Sequence, residues 1–517
     1  MKPGKISYLL TSVAGLALVS TAYGADLPSG KASPASYVKI CDAYGSGFFF
    51  IPGSDTCVKL GGRVRVEPAW ISTGTILHPP VIGNGNASPN AHAYTVSTST
   101  GATTPGTMAV TSGSNYDSTG LHTRGIIMLD ARTPTSMGTV RTSIWIRAVN
   151  ENGVYSSNYV RNQLVGANST SLTVENTFVQ WAGFTAGRAK ENFTFLPGTG
   201  YIFTRRAGFS SGIPQLTYTQ VFGGGLSGTL AIDDKTGLNS AMSPHSLGGV
   251  TGGVDQRGGL IATLPTVGGL PPIVANLRYD QSWGTAQVMG AVVENEALFS
   301  KPASFATVAS PKTVSAWGYA LGGGVKINLP MLGSGDEFWL QTGYSKGGFD
   351  WMISNNTSAQ TSDHGVQLPG LQRIDRNMTV YGIGGNAGSG GAPTDAGVEL
   401  TKAWNIATML IHYWTPDVRS VLNASYLNIT PGEKTRNTDW SLGGMSKANT
   451  WNISKAVQWM PVKDFELGVE IGYSRLNQQL TGANGAAPSA FVTPAGVSAG
   501  KISPNVWLGR MRVERSF

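Results

Sequence analysis

A closed antiparallel β-barrel of sixteen strands, spanning a membrane, is the fold class this chain predicts. Three observations lead there. Runs of about ten residues alternate strictly between apolar and charged or polar side chains, as a strand with one apolar and one polar face requires. Tight turns alternate with long polar connections along the chain. Only one segment, at the very N-terminus, nears the ~20 apolar residues of a membrane helix, so a bundle of helical spans is excluded.

Composition supports an ordered chain and speaks against a nucleic-acid partner. Of 517 residues, 13% are charged, about half the ~25% usual in soluble domains. The 41% hydrophobic content and thirteen Trp residues rule out a disordered chain. Mean hydropathy is close to zero, at −0.04. The formal charge of +8 comes from scarce acids (29) rather than abundant bases (37). Without a Lys/Arg run there is no electrostatic footprint for nucleic acid.

Residues 1–24 read as an export signal. Lys2 and Lys5 precede an apolar stretch from Ile6 to Val19, and small residues at Ala22 and Gly24 suit cleavage after Gly24. An N-terminal anchor is the alternative, but the apolar core is short and ends in small residues. Residues 25–56 then form an N-terminal periplasmic segment, and 57–517 the barrel. Cys41 and Cys57 are the only cysteines, and in an exported chain they read as a disulfide closing a short loop. Two thiols with no nearby His make no complete zinc set.

The first barrel strand shows the two faces plainly. Val58, Leu60, Gly62, Val64 and Val66 share one parity, while Lys59, Arg63, Arg65 and Glu67 take the other. Arg141, Ser143, Trp145 and Arg147 alternate in the same way with Val140, Thr142, Ile144 and Ile146; Glu466 and Glu470 alternate with Leu467, Val469 and Ile471. The last strand sets Arg510, Arg512 and Glu514 against Trp507, Met511 and Val513, before Phe517. Strands are expected to start near residues 57, 121, 139, 172, 184, 215, 226, 273, 285, 315, 337, 399, 419, 450, 465 and 504. Residues 71–120 and 346–397, rich in Gly, Ser, Thr, Asn and Ala, read as long outer loops. Aromatics near strand ends (Trp70, Tyr344, Trp404, Tyr413, Trp414, Trp451, Trp459, Tyr473 and Trp507) suit interfacial girdles. A β-sandwich would need neither so many charges opposite its apolar face nor such long polar loops. Sixteen strands close around an aqueous channel.

No catalytic constellation emerges. Gly208-Phe209-Ser210-Ser211-Gly212 matches G-x-S-x-G, but Ile213-Pro214 follows instead of the helix the nucleophile turn needs. The six His are scattered without metal-ligand spacing, and Gly382-Ile383-Gly384-Gly385 lacks the strand–helix frame of a dinucleotide site. No cofactor and no metal site is expected.

Several blocks resemble alphaproteobacterial outer-membrane porins: VKICDAYGSGFFFIPGSDTCVKLGGRVR (38–65), FVQWAGFTAGR (178–188), LTYTQVFGGGLSGTLAIDD (216–234), PPIVANLRYDQSWGTAQVMGAVVEN (271–295), GGGVKINLPMLGSGDEFWLQTGYS (322–345), HYWTPDVRSV (412–421), WMPVKDFELGVEIGYSRL (459–476) and LGRMRVERSF (508–517). The resemblance implies a sixteen-stranded barrel, a homotrimer, contact with outer-membrane lipid and lipopolysaccharide, and passive diffusion of small hydrophilic solutes. It further implies that the loop after the fifth strand folds inward as a constriction, and that Phe517 is read by the barrel-assembly machinery.

Closure joins the last strand to the first, so one arc of the lumen carries Lys59, Arg63, Arg65, Arg124, Arg132, Arg141, Arg147, Arg510 and Arg512 against Glu67, Asp130 and Glu514. Arg63, Arg65, Arg124 and Arg141 are the leading candidates for the narrow zone. The expected constriction loop, residues 189–214, carries Lys190, Glu191, Arg205 and Arg206. Rings of Arg and Lys favour anions, so weak anion preference is expected. A solute-specific anion or sugar channel, or a secreted β-rich adhesin, are the competing readings. Phe193, Phe195, Tyr201 and Phe203 serve either as a stacking slide for sugars or as anchors of the loop against the wall.

Overall fold

The computed structural model describes residues 39–72, 75–77, 81–82, 93–94, 110–112, 119–155, 169–197, 212–234, 261–263, 269–300, 312–353, 378–381, 397–437, 447–479, 501–502 and 505–517. Sixteen long strands build one antiparallel sheet: β1 (Cys57–Ile71), β2 (Thr119–Thr135), β3 (Gly138–Glu151), β4 (Ser169–Trp181), β5 (Phe184–Lys190), β6 (Gly212–Gly223), β7 (Leu226–Asp233), β8 (Ile273–Gln281), β9 (Gly284–Ser300), β10 (Lys312–Asn328), β11 (Glu337–Lys346), β12 (Lys402–Thr415), β13 (Val418–Thr430), β14 (Ala448–Val462), β15 (Phe465–Gln479) and β16 (Asn505–Ser516). Three short pieces, Phe49–Phe50, Ile261–Thr263 and Lys501–Ile502, extend its ladders.

Each strand pairs with its sequence neighbour, and β16 pairs back onto β1, from Arg63↔Ser516 to Ile71↔Leu508. That closure leaves no edge, the condition for a sheet in lipid. The seam is finished by Phe517, which exchanges two backbone hydrogen bonds of 3.0 Å with Gly62. Its ring lies where a Cβ on Gly62 would sit, 2.5 Å from the Phe517 ring, so this site takes only glycine without displacing the ring.

Tight turns and long connections segregate to opposite ends. The turns joining β2–β3, β4–β5, β6–β7, β8–β9, β12–β13 and β14–β15 span only two residues each. Gly223, Gly224 and Gly225 all adopt positive φ (91°, 60° and 85°) to make one of them. The β10–β11 turn, residues 329–336, is longer. By the rule for outer-membrane barrels this end is periplasmic.

Predicted strand starts fall within three residues of the observed ones. The exception in kind is the expected start at 399, because Gly397–Leu400 pairs with Met378–Tyr381 in a separate two-stranded sheet. Nor are the two long polar stretches pure loop. Thr75–Leu77 pairs with Val110–Ser112, Val81–Ile82 with Ala93–Tyr94, and an apolar turn occupies Phe349–Ile353. Around residue 175 a register shift in the β3–β4 ladder leaves Glu175 as an extra residue. This β-bulge changes which parity faces inward, so Thr173 and Glu175 on one side of it and Phe178 and Gln180 on the other all reach the lumen wall.

Candidate functional site

Burial sorts the two faces of every strand. On β1, Leu60, Val64 and Trp70 are exposed, while Arg65, Glu67 and Ala69 are buried. In a barrel the exposed apolar parity meets lipid and the other parity meets the lumen. Near the long-loop end, aromatics of β14, β15 and β16 pack side by side, with ring centroids 5.3 Å apart for Trp451 and Tyr473 and 5.0 Å for Tyr473 and Trp507. Tyr413 departs from the girdle expectation: it lies on the inward parity, packs against the core and accepts a 3.0 Å hydrogen bond from Arg419.

The nine predicted lumen bases share one arc, but most are engaged by acids. Arg510 contacts Glu470 at 2.8 Å and Glu67 at 3.3 Å, and Arg512 reaches Glu67 at 2.6 Å and Glu466 at 3.9 Å. His122 Nδ1 lies 3.2 Å from Glu67. Arg124 reaches Glu175 at 2.7 Å, and Arg65 bonds to Glu514. Asp130 holds both Arg132, at 3.0 Å, and Arg141, at 2.9 Å. Arg147 donates to Thr173 Oγ1 at 3.0 Å. Three of the acids, Glu175, Glu466 and Glu470, come from strands flanking the arc considered from sequence. With these flanking strands included, the nine bases of the arc stand beside six acids in place of the three on its own strands, and Glu466 is shared with Arg419 of β13 at 3.7 Å. The arc also divides by depth: the side chains of Arg510 and Arg124 are 0% and 1% exposed, while those of Arg63 and Arg141 keep 24% and 34%. Tyr155, in the turn after β3, covers the buried part; its ring lies 5.3 Å from that of His122. Arg65 and Arg124, named as candidates for the narrow zone, lie in this buried part, because flanking carboxylates and the turn above them exclude water.

The segment after β5 folds into the barrel as expected, but its charge does not face open water. Glu191 is buried, and its carboxylate accepts the N–H of Phe193 at 2.6 Å and of Thr194 at 2.8 Å. Burial raises its pKa above the usual carboxylate range, against the downward pull of these bonds. It caps the loop from within. Phe193 and Phe195 are buried anchors. A Cβ on Gly324 would fall 2.4 Å from Phe195, and one on Gly322 3.2 Å from Phe193, so glycines on β10 make room for both rings. Wall amides hold the loop backbone: Gln341 Oε1 accepts from the N–H of Phe195 and of Leu196 at 2.9 Å each, and Asn276 donates to the Asn192 carbonyl at 2.7 Å.

A second inward segment, Phe349–Ile353 after β11, packs beside it. Trp351 and Met352 are fully buried, the Trp351 ring lies 6.0 Å from that of Phe193, and Asn405 donates to the Met352 carbonyl at 2.6 Å. Together with Met289, Ala320, Ala407 and Met409 they form a dry core inside the barrel. Sequence reasoning missed Gln341, Asn276, Asn405 and Trp351. The run Phe349-Asp350-Trp351-Met352-Ile353, apolar within a polar stretch, was the available signal; single amides on a polar strand face carry none.

Lys190 ends β5 and is exposed, and Lys59 is exposed near the start of β1. Arg205, Arg206, Tyr201 and Phe203 lie outside the described residues. Cys41 and Cys57 are joined by a disulfide. Among the described residues no group of three or more His, Cys, Asp or Glu is arranged to hold a metal ion.

Comparison with known proteins agrees with this geometry. A family model for a porin subfamily matches residues 29–495. Porin Omp2b of Brucella suis is 24% identical over 354 residues, which is 66% of this chain and 73% of that protein. Porin Omp2b of Brucella abortus (strain 2308) is 26% identical over the same shares. Among solved structures, the outer membrane channel DcaP of Acinetobacter baumannii resembles the fold with a TM-score of 0.51 at 15% identity, over 90% of this chain and 99% of that one. A closed sixteen-stranded barrel with a lipid-facing apolar band, inward loop segments and a charged lumen wall thus coincides with a family match over most of the length: the chain belongs to the porin subfamily, a non-enzymatic channel of the outer membrane.

Proposed function

We propose that the channel passes small hydrophilic solutes and ions by diffusion, with a weak preference for anions. The observation that carries this reading is the residual imbalance on the charged arc, nine bases against six acids, with Arg63 and Arg141 among the bases that keep contact with water. Ion pairing cancels most of the field of the buried members. Arg63 and Arg141 are paired too, with Glu514 at 3.9 Å and Asp130 at 2.9 Å. Being partly exposed, they nevertheless add most to the local potential, and rings of Arg and Lys favour anions at close range. Because only a few charges remain, the preference is weak.

The family supports a homotrimer seated in outer-membrane lipid and lipopolysaccharide. Residues 1–24 fit an export signal and Phe517 a signal for barrel assembly. Planar-bilayer recording under a salt gradient tests the reading. Conductance rising in groups of three, with a reversal potential on the anion side, supports both parts. Cation preference that survives neutralisation of the other loops' acids overturns the selectivity.

A further inference from the structure

We propose that the disulfide-closed loop Cys41–Cys57 is a lip on the periplasmic mouth of the channel, which covers lumen cations with aromatic rings and so lowers the channel's anion preference. The argument starts from parity. Cys57 opens β1 on the same parity as Lys59 and Arg63, the lumen side, and its partner across the β1–β2 ladder is Arg132. A disulfide from that position draws the preceding chain over the inside of the barrel.

The loop's contacts follow that direction across three strands. The Phe48 ring is buried with the disulfide, and the Arg132 guanidinium stands 4.8 Å from its centroid. Tyr44 offers Arg132 a second face at 5.6 Å, and its hydroxyl lies 3.4 Å from Thr139 Oγ1 on β3. Lys59 Nζ lies 6.0 Å from the Phe48 centroid, and its stem passes over Gly47, where a Cβ would meet Lys59 Cε at 3.4 Å. Disulfide, Phe48 and Tyr44 thus arch from β1 over β2 to β3, at the end of the barrel that carries the tight turns. Aromatic faces attract cations electrostatically and displace the mobile anions that would otherwise gather there. Arg132 also gives its charge to Asp130 at 3.0 Å, so the arch leaves Lys59 as the base whose field depends most on the loop.

This inference rests on the channel itself and not on the sign of its native selectivity, because it predicts a shift from whatever starting value is found. The test compares wild type with Cys41→Ser/Cys57→Ser in planar bilayers under a potassium chloride gradient, each with and without Lys59→Gln. Freeing the loop is expected to raise single-channel conductance and move the reversal potential toward the chloride limit. The shift caused by Lys59→Gln is expected to be larger in the freed background, a non-additivity that general loosening would not produce. Unchanged conductance and reversal potential in a folded double-serine channel overturn the proposal, as does a Lys59→Gln shift equal in both backgrounds. Should the double-serine chain give no heat-modifiable barrel, Phe48→Ala in the disulfide-bonded chain replaces it under the same criteria. The wild-type reversal potential alone tests the parent selectivity, so the two readings fail separately.

Discussion

Replacing Gln341 by Met should release the constriction segment while leaving the barrel intact. Met keeps the length and volume of the side chain but removes the oxygen that accepts the Phe195 and Leu196 N–H groups at 2.9 Å. Two buried donors then lose their partner, at roughly 1–3 kcal/mol each. The segment has little in reserve against that loss. Burying Phe193, Phe195 and Leu196 contributes roughly 5–9 kcal/mol, and ordering the backbone of Glu191 to Leu196 costs roughly 6–12 kcal/mol. Docking is therefore near balance before hydrogen bonds are counted, and the wall amides decide it. A loss of even ~2 kcal/mol raises the undocked population about thirtyfold. Single-channel recording should show added sublevels and a higher mean conductance, while the heat-modifiable gel shift of the folded barrel stays as in wild type. Wild-type conductance and open-channel noise in a folded Gln341→Met channel would refute the claim that these bonds hold the loop.

Other consequences are open to equally direct measurement. Trp351→Ala and Phe193→Ala should each raise conductance, and the double variant should gain less than the two single effects together, because the rings pack on each other. Arg510→Met should remove the buried ion pairs to Glu470 at 2.8 Å and to Glu67 at 3.3 Å, leaving Glu67 to Arg512, and lower barrel stability by about 3–5 kcal/mol, read from the denaturant midpoint. Asp336, in the turn before β11, is raised by burial but held below the usual carboxylate range overall by the Tyr413 N–H at 2.8 Å and His412 Nδ1 at 2.6 Å. A lowered folded-state value means its stabilisation is complete above about pH 4 and lost as pH falls through that lowered value. Unfolding should accordingly become easier in strong acid, and Asp336→Asn should flatten that part of the profile.

Fold and site were unequally legible in the sequence, for a physical reason. Alternation is a local property, so Leu60, Val64, Arg63 and Arg65 announce their faces wherever the strand sits, and two-residue turns announce its end. The partner of an inward charge is set by closure and register, which span the whole chain. Arg510 meets Glu67 from the far end of the sequence, and Glu175 faces Arg124 only because a bulge rotates it inward. Counting charges strand by strand therefore found the bases and undercounted the acids. The inward segments fall between these cases. The pair Phe193 and Phe195 was visible, and glycines at 322 and 324 were visible, but that one accommodates the other becomes evident only when β10 is placed behind the loop.

A porin lumen is usually pictured as a wetted wall, yet this one is organised as two kinds of protein interior with a passage between them. On the β9–β12 side, apolar residues and two inward segments make a dry core, and a dry core cannot hold ions. On the β15–β4 side, Arg and Glu are packed as closely as they would be under a domain surface, with Arg510 and Glu67 fully buried. Charges at that depth are there because removing one member would strand another, not because a passing ion reaches them. On the proposed reading, permeating ions meet the groups that keep water, among them Arg63 and Arg141 along the arc, Arg278 beside Phe195 and Lys59 at the mouth. Burial thus separates the charges packed within the wall from those that keep water, and a substitution that alters stability without selectivity, or the reverse, reports which set a residue belongs to.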